Sequence, residues 1–137
     1  MTVELWCLVA AIIIGFVHII LQAHTMNMQR SLEWNAGPRD EVLPPLTGVA
    51  GRLERALKNY LETFVFFVAA VLAAQAANVH NSLIVWGAVL YVTARVIYIP
   101  LYALGVRYIR SIAWGAATTG IFLILIGLIS AGLARQG

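Results

Sequence analysis

Apolar residues in this chain fall into four long blocks, Leu5 to Ala23, Tyr60 to Ala77, Leu83 to Leu104 and Ile112 to Leu133. Each is close to the ~20 residues that carry a helix across a hydrocarbon core. The blocks lack the short apolar–polar alternation of a membrane β-barrel. Hydrophobic residues make up 61% of the chain and charged residues only 11%, too little charge to cover a water-soluble surface. The pattern predicts an all-α membrane protein, a bundle of four transmembrane helices.

With 137 residues the chain is expected to form a single domain, residues 1–137, with helices over about 4–25, 51–77, 82–104 and 110–134. The first block has Glu4 and no basic residue ahead of it, and no small-residue cleavage site after it, so it reads as a helix and not as a signal peptide. The later connections are short, which predicts antiparallel neighbours in an up-down-up-down order. Residues 26–50 form the one long loop. Thr25 to Asn35 can extend the first helix, Gly37-Pro38 ends any helix there, and Pro44-Pro45 keeps the chain extended. Small residues, Ala69, Ala70, Ala73, Ala74 and Ala76 in the second block and Gly115, Ala116, Ala117 and Gly120 in the fourth, permit close helix contacts.

The formal net charge is +3. Its cations cluster in or near two loops: Arg30, Arg39, Arg52, Arg55 and Lys58 around the first, Arg107 and Arg110 in the third. The second loop has none. By the positive-inside rule the first and third loops are cytoplasmic and both termini lie on the far side. The basic excess is thus a topology signal and no nucleic-acid footprint.

Polar side chains converge at the basic end. Arg55, Asn59 and Glu62 are spaced i, i+4, i+7 and share a helical face, with Lys58 beside them. Arg95, Tyr98 and Tyr102 share a face of the third helix, and Tyr91 continues that stripe. At ~1.5 Å per residue, Glu62 lies about 16 Å inward from Gly51 and Arg95 about 15 Å inward from Gly105. An unpaired charge at that depth costs several kcal/mol, so a Glu62–Arg95 ion pair is expected, within a subunit or between subunits. A structural network that fixes helix register needs only two such residues; the larger set favours a site for a polar ligand.

Pro100 should kink the third helix near Val96. Ser111 is a candidate cap for the fourth helix, and Trp114, one turn on, a candidate interfacial anchor. Cys7 is the only cysteine, and with no neighbouring base it reads as a packed apolar thiol. His18 is expected to hydrogen-bond between helices. His24 and His80 carry no metal-ligand spacing, so no metal site is expected.

Glu54-Arg55-Ala56-Leu57-Lys58-Asn59-Tyr60-Leu61-Glu62 resembles the second-helix signature of the MAPEG family, the membrane-associated proteins in eicosanoid and glutathione metabolism. Arg95-Val96-Ile97-Tyr98-Ile99-Pro100-Leu101-Tyr102 resembles its third-helix signature, and Arg110-Ser111 the start of its fourth helix. The loop from Gly37 to Glu41 is similar to the bacterial branch. The resemblance implies a homotrimer in the bacterial inner membrane, with glutathione bound between subunits near the cytoplasmic side. It further implies that Asn59 and Glu62 contact the tripeptide, that Arg55, Lys58 and Arg95 hold its carboxylates or support the pocket, and that Tyr98, Tyr102, Ser111 and Trp114 shape it. Arg110 would stabilise the thiolate. Trp114 stands where a tyrosine is often found, which reshapes the cleft for a second substrate. The implied activity is a glutathione transferase or peroxidase acting on a lipophilic electrophile that arrives from the bilayer. Two other readings are a non-enzymatic scaffold that keeps the fold and a small transporter or proton path through Glu62.

Overall fold

Apolar stretches set the helices, and local chemistry sets where they stop. The structure, a computed structural model, describes residues 1–137. Its elements are α1 (Val3–Gln29), α2 (Leu32–Ala36), α3 (Gly48–Ala76), α4 (Ser82–Ala103) and α5 (Ile109–Gln136). There is no strand. All but the short α2 are long and apolar enough to cross a membrane.

Two helix ends carry the same device. Beyond α3, Asn78 adopts φ 51°; its N–H reaches Gln75 O at 3.1 Å and the N–H of Val79 reaches Ala74 O at 3.0 Å. Beyond α4, Gly105 adopts φ 71°, with Gly105 N–H on Tyr102 O and Val106 N–H on Leu101 O, each 3.0 Å. Both are Schellman caps, in which one left-handed residue turns the chain and satisfies the last carbonyls. Distant arginines add to them: Arg135 donates to Ala77 O at 2.8 Å and Asn78 O at 3.2 Å, and Arg52 donates to Ala103 O at 2.8 Å. Cations at a helix C-terminus also oppose the helix dipole.

α1 runs on to Gln29, so its last turns reach beyond the apolar block. The long loop after it is pinned back. Gln29 makes two hydrogen bonds to the Thr47 backbone, Nε2 donating to O at 2.6 Å and Oε1 accepting from N at 3.1 Å, while Arg30 donates to Pro44 O at 3.0 Å. The end of α1 is thereby tied to the start of α3.

α4 touches α1, α3 and α5, and its packing on α5 is the most extensive in the molecule. α1 and α5 lie on opposite sides of the α3–α4 pair. The core holds Phe67, Val71, Ile84, Tyr91, Ile121 and Ile124, with Phe67 and Tyr91 stacked at 4.0 Å between ring centroids. Of the small residues, Ala70, Ala74, Ala117 and Gly120 are buried in helix contacts, whereas Ala69, Ala73 and Ala76 face outward. Large apolar side chains such as Phe16, Ile20, Phe66, Trp86 and Phe122 are exposed. In water they would be a liability; in a bilayer the surrounding lipid is as apolar as they are.

α4 is one unbroken helix through Val96 and Pro100 to Ala103. α5 begins at Ile109, with Tyr108 as its N-terminal flank and no side-chain cap. Ser111 therefore lies inside the first turn and does not cap it. The expected cap is displaced because Tyr108 turns the chain early: at φ 59° and ψ −55° it centres a tight turn in which Ile109 N–H meets Arg107 O at 2.6 Å.

Candidate functional site

The site grows from Arg95, whose side chain has 0% of its surface exposed. A guanidinium can only donate hydrogen bonds, so burial demands acceptors. Arg95 Nη1 donates to Asn59 Oδ1 at 2.9 Å, and Nη2 donates to Thr63 Oγ1. Thr63 Oγ1 also lies 3.3 Å from Tyr91 Oη. The rings of Tyr60, Tyr91 and Tyr98 surround the cation, with centroids 5.7, 5.7 and 5.1 Å from Cζ. Aromatic faces are attractive to a cation and more so when water is excluded.

The expected Glu62–Arg95 ion pair is not formed. Glu62 is exposed, and Arg95 is buried too completely to reach a carboxylate on a neighbouring subunit. Thr63, one residue along from Glu62 and about 100° around the helix, faces Arg95 in its place, beside Asn59. His18 also differs from expectation. Its ring stacks on Tyr60 at 4.9 Å, and neither ring nitrogen has a hydrogen-bond partner in the protein.

Beside this core, Asn59, Tyr98, Tyr102, Arg110, Ser111 and Trp114 line one cleft of about 260 Å³. All six were singled out from the sequence. α3 supplies Asn59, α4 the two tyrosines and α5 the other three. Arg110 Cζ lies 4.9 Å from the centre of the Tyr102 ring, and the Tyr98 and Tyr102 rings sit 5.2 Å apart. The lining offers a cation, an amide and three hydroxyls, a set suited to anionic and carbonyl groups. Arg55, Lys58 and Glu62 do not join it; they are exposed along α3. Arg95 has no surface on the cleft and cannot itself contact a ligand there.

A second, larger cleft of about 630 Å³ lies between α3 and α5, lined by Thr63, Phe66, Ala69, Ala70, Ala73, Trp114, Thr118, Ile121, Phe122 and Leu125. Trp114 borders both spaces. Thr63 links them from within, since it lines the apolar groove and accepts from the arginine that holds Asn59. Thr63 was missed in the sequence, although it stands one turn beyond Asn59 on the same face.

The MAPEG family model matches residues 7–130, nearly the whole chain and every helix that builds the cleft. The chain belongs to the MAPEG family. It is an integral membrane protein of the glutathione and eicosanoid metabolism superfamily. No curated protein matches it. Within this MAPEG protein, the two signature segments meet in space: Asn59 from one and Tyr98 and Tyr102 from the other share the cleft with Arg110.

At the opposite end of the bundle, Glu4 is only 1% exposed. Its carboxylate Oε1 lies 2.6 Å from His80 Nδ1 and accepts from Gln75 Nε2 at 3.3 Å; Gln75 also reaches Thr2 Oγ1 at 2.9 Å. This cluster ties α1 to the α3–α4 turn. Cys7 is buried in the core one turn below.

Proposed function

We propose that this protein binds glutathione in the cleft between α3, α4 and α5 and uses it in a transferase or peroxidase reaction on a lipophilic electrophile. The observation that carries the reading is the cleft itself, in which Arg110, Asn59, Ser111 and the two tyrosines face one space. Glutathione brings two carboxylates, two peptide carbonyls and a thiol. A thiol reacts as its thiolate, and a fixed guanidinium nearby favours that form. Arg110, held over the Tyr102 ring, is the group that would do so.

The apolar groove beyond Trp114 supplies the second substrate. In a transferase step the thiolate sulfur attacks the electrophilic carbon, a carbon–sulfur bond forms and the leaving group departs as an anion. The thiol proton goes to water. Exposed Arg55, Lys58 and Glu62 fit a homotrimer in which a neighbouring subunit completes the pocket around the tripeptide. The basic end would face the cytoplasm of a bacterial inner membrane, where glutathione is reduced and abundant.

The test is conjugation of chlorodinitrobenzene by the purified protein in detergent, with glutathione binding followed by calorimetry. Saturable binding and a rate above background are expected. Absence of both would overturn the reading and leave the alternative of a non-enzymatic scaffold, which the grip of the buried Arg95 on Asn59 and Thr63 of α3 favours as a register device.

A further inference from the structure

Asn59 stands between two environments. It lines the cleft, and its Oδ1 accepts from the buried Arg95 at 2.9 Å. The assignment of oxygen and nitrogen in an amide is ordinarily ambiguous. Here chemistry decides it, because Arg95 has donors only and the reversed amide would set donor against donor. The amide nitrogen is left with no hydrogen bond inside the chain, at a residue open to the cleft.

We infer that Arg95 is a positioning residue that locks the Asn59 amide with its NH2 toward the cleft, so that this point of the site accepts only a hydrogen-bond acceptor, a carboxylate or peptide carbonyl of the ligand. The inference rests on the glutathione reading for the identity of that ligand but not for the lock itself. The lock has three parts. Arg95 is wholly buried and cannot swing out. Its fork grips two residues of α3 at once, Asn59 and Thr63. The rings of Tyr60, Tyr91 and Tyr98 hold its plane. A lysine carries a compact ammonium with rotatable donors in place of the planar fork, and so does not fix the geometry of both acceptors. An asparagine without this partner would turn freely and offer donor or acceptor alike, so the buried arginine converts an indifferent amide into a selective one.

Two variants and two measurements test this. Asn59→Asp keeps an acceptor for Arg95 and nearly the same shape, but it turns an oxygen toward the cleft. Glutathione affinity by calorimetry should then fall about tenfold or more, while thermal stability in detergent is maintained. Undiminished affinity in this variant, with binding by the wild type intact, would overturn the inference and leave the glutathione reading standing. Arg95→Lys should raise KM for glutathione more than it lowers kcat.

The second measurement needs no ligand. In protein labelled with nitrogen-15 at asparagine, the Asn59 side-chain NH2, identified by its loss in Asn59→Asp, should give a rigid heteronuclear signal in the wild type and a mobile one in Arg95→Lys. An equally rigid amide in both would overturn the lock. If the wild type binds no glutathione, the functional reading falls and the amide measurement still decides the inference.

Discussion

Gly87 on α4 and Gly120 on α5 pack so closely that a Cβ built on either would come within 2.5 Å of the other's carbonyl oxygen. The approach is reciprocal and involves backbone, which cannot step aside. It is one of the closest approaches between the two most extensively packed helices, and α5 is the helix that carries Arg110, Ser111 and Trp114 to the cleft. Gly120→Ala should therefore destabilise the protein by about 1–3 kcal/mol, the usual cost of overpacking. Gly115 sits on the same helix with nothing within 4 Å of its notional Cβ, so Gly115→Ala should be neutral or mildly stabilising, since alanine is the better helix former. Thermal or denaturant unfolding of the two variants in the same detergent checks the contrast; equal effects would refute the close approach.

Asn78 gives a prediction of opposite sign. It occupies the left-handed position of the Schellman cap after α3 at φ 51°, where asparagine is tolerated and glycine is free of strain. The carbonyl partners are backbone groups and survive substitution. Asn78→Gly should hold stability level or raise it by a few tenths of a kcal/mol, while Asn78→Val, β-branched at positive φ, should lower it by about 1 kcal/mol or more. Loss of stability in the glycine variant would mean that the side chain, and not the turn, matters there.

The Glu4–His80 contact joins residues 76 apart in sequence and leaves Glu4 almost without exposure. Removing the imidazole by His80→Ala leaves that carboxylate with Gln75 as its one remaining side-chain donor from α3. The expected cost is about 1–3 kcal/mol, the desolvation penalty of a group stripped of its partner. Replacing both residues, Glu4→Gln with His80→Ala, should recover part of it, because no unpaired charge then remains. A double-mutant cycle on unfolding reads the coupling directly, and an additive pair would show that the contact contributes nothing.

The bundle was legible in the sequence because a ~20-residue apolar block has only one way to satisfy its backbone in lipid. The cleft was largely legible too, since the helical period places Asn59, Tyr98 and Tyr102 by face and depth. What periodicity cannot supply is how two helices are rotated relative to one another. Glu62 and Thr63 differ by only about 1.5 Å in depth, yet the rotation of α3 against α4 gives Arg95 to Thr63 and leaves Glu62 outside. That rotation is set by packing, at contacts between α3 and α4 such as Phe67 on Tyr91. Glu4 and His80 were unreadable for the same reason: each looks like an isolated polar residue until the ends of α1 and α3 are brought side by side. Ser111 misled because a capping residue type is common, while the positive φ of Tyr108 that moves the helix start has no signature in composition.

Arg110 allows the most direct test of chemistry. It is half-buried at the cleft, and Tyr102 holds its guanidinium 4.9 Å from the ring centre, so its removal should spare the fold. On the glutathione reading, Arg110→Ala takes away the cation that would favour the thiolate, and the thiol pKa should rise. Conjugation near neutral pH should then fall about a hundredfold, the scale of losing one preorganised electrostatic group, while unfolding in detergent is little changed. Because hydroxide can still ionise the thiol, the deficit should shrink as pH rises, and the alkaline limb of the rate profile should move to higher pH. Arg110→Lys restores charge without the planar fork and should fall between the two. A rate profile in Arg110→Ala that keeps both the height and the position of the wild type would remove this arginine from the reaction.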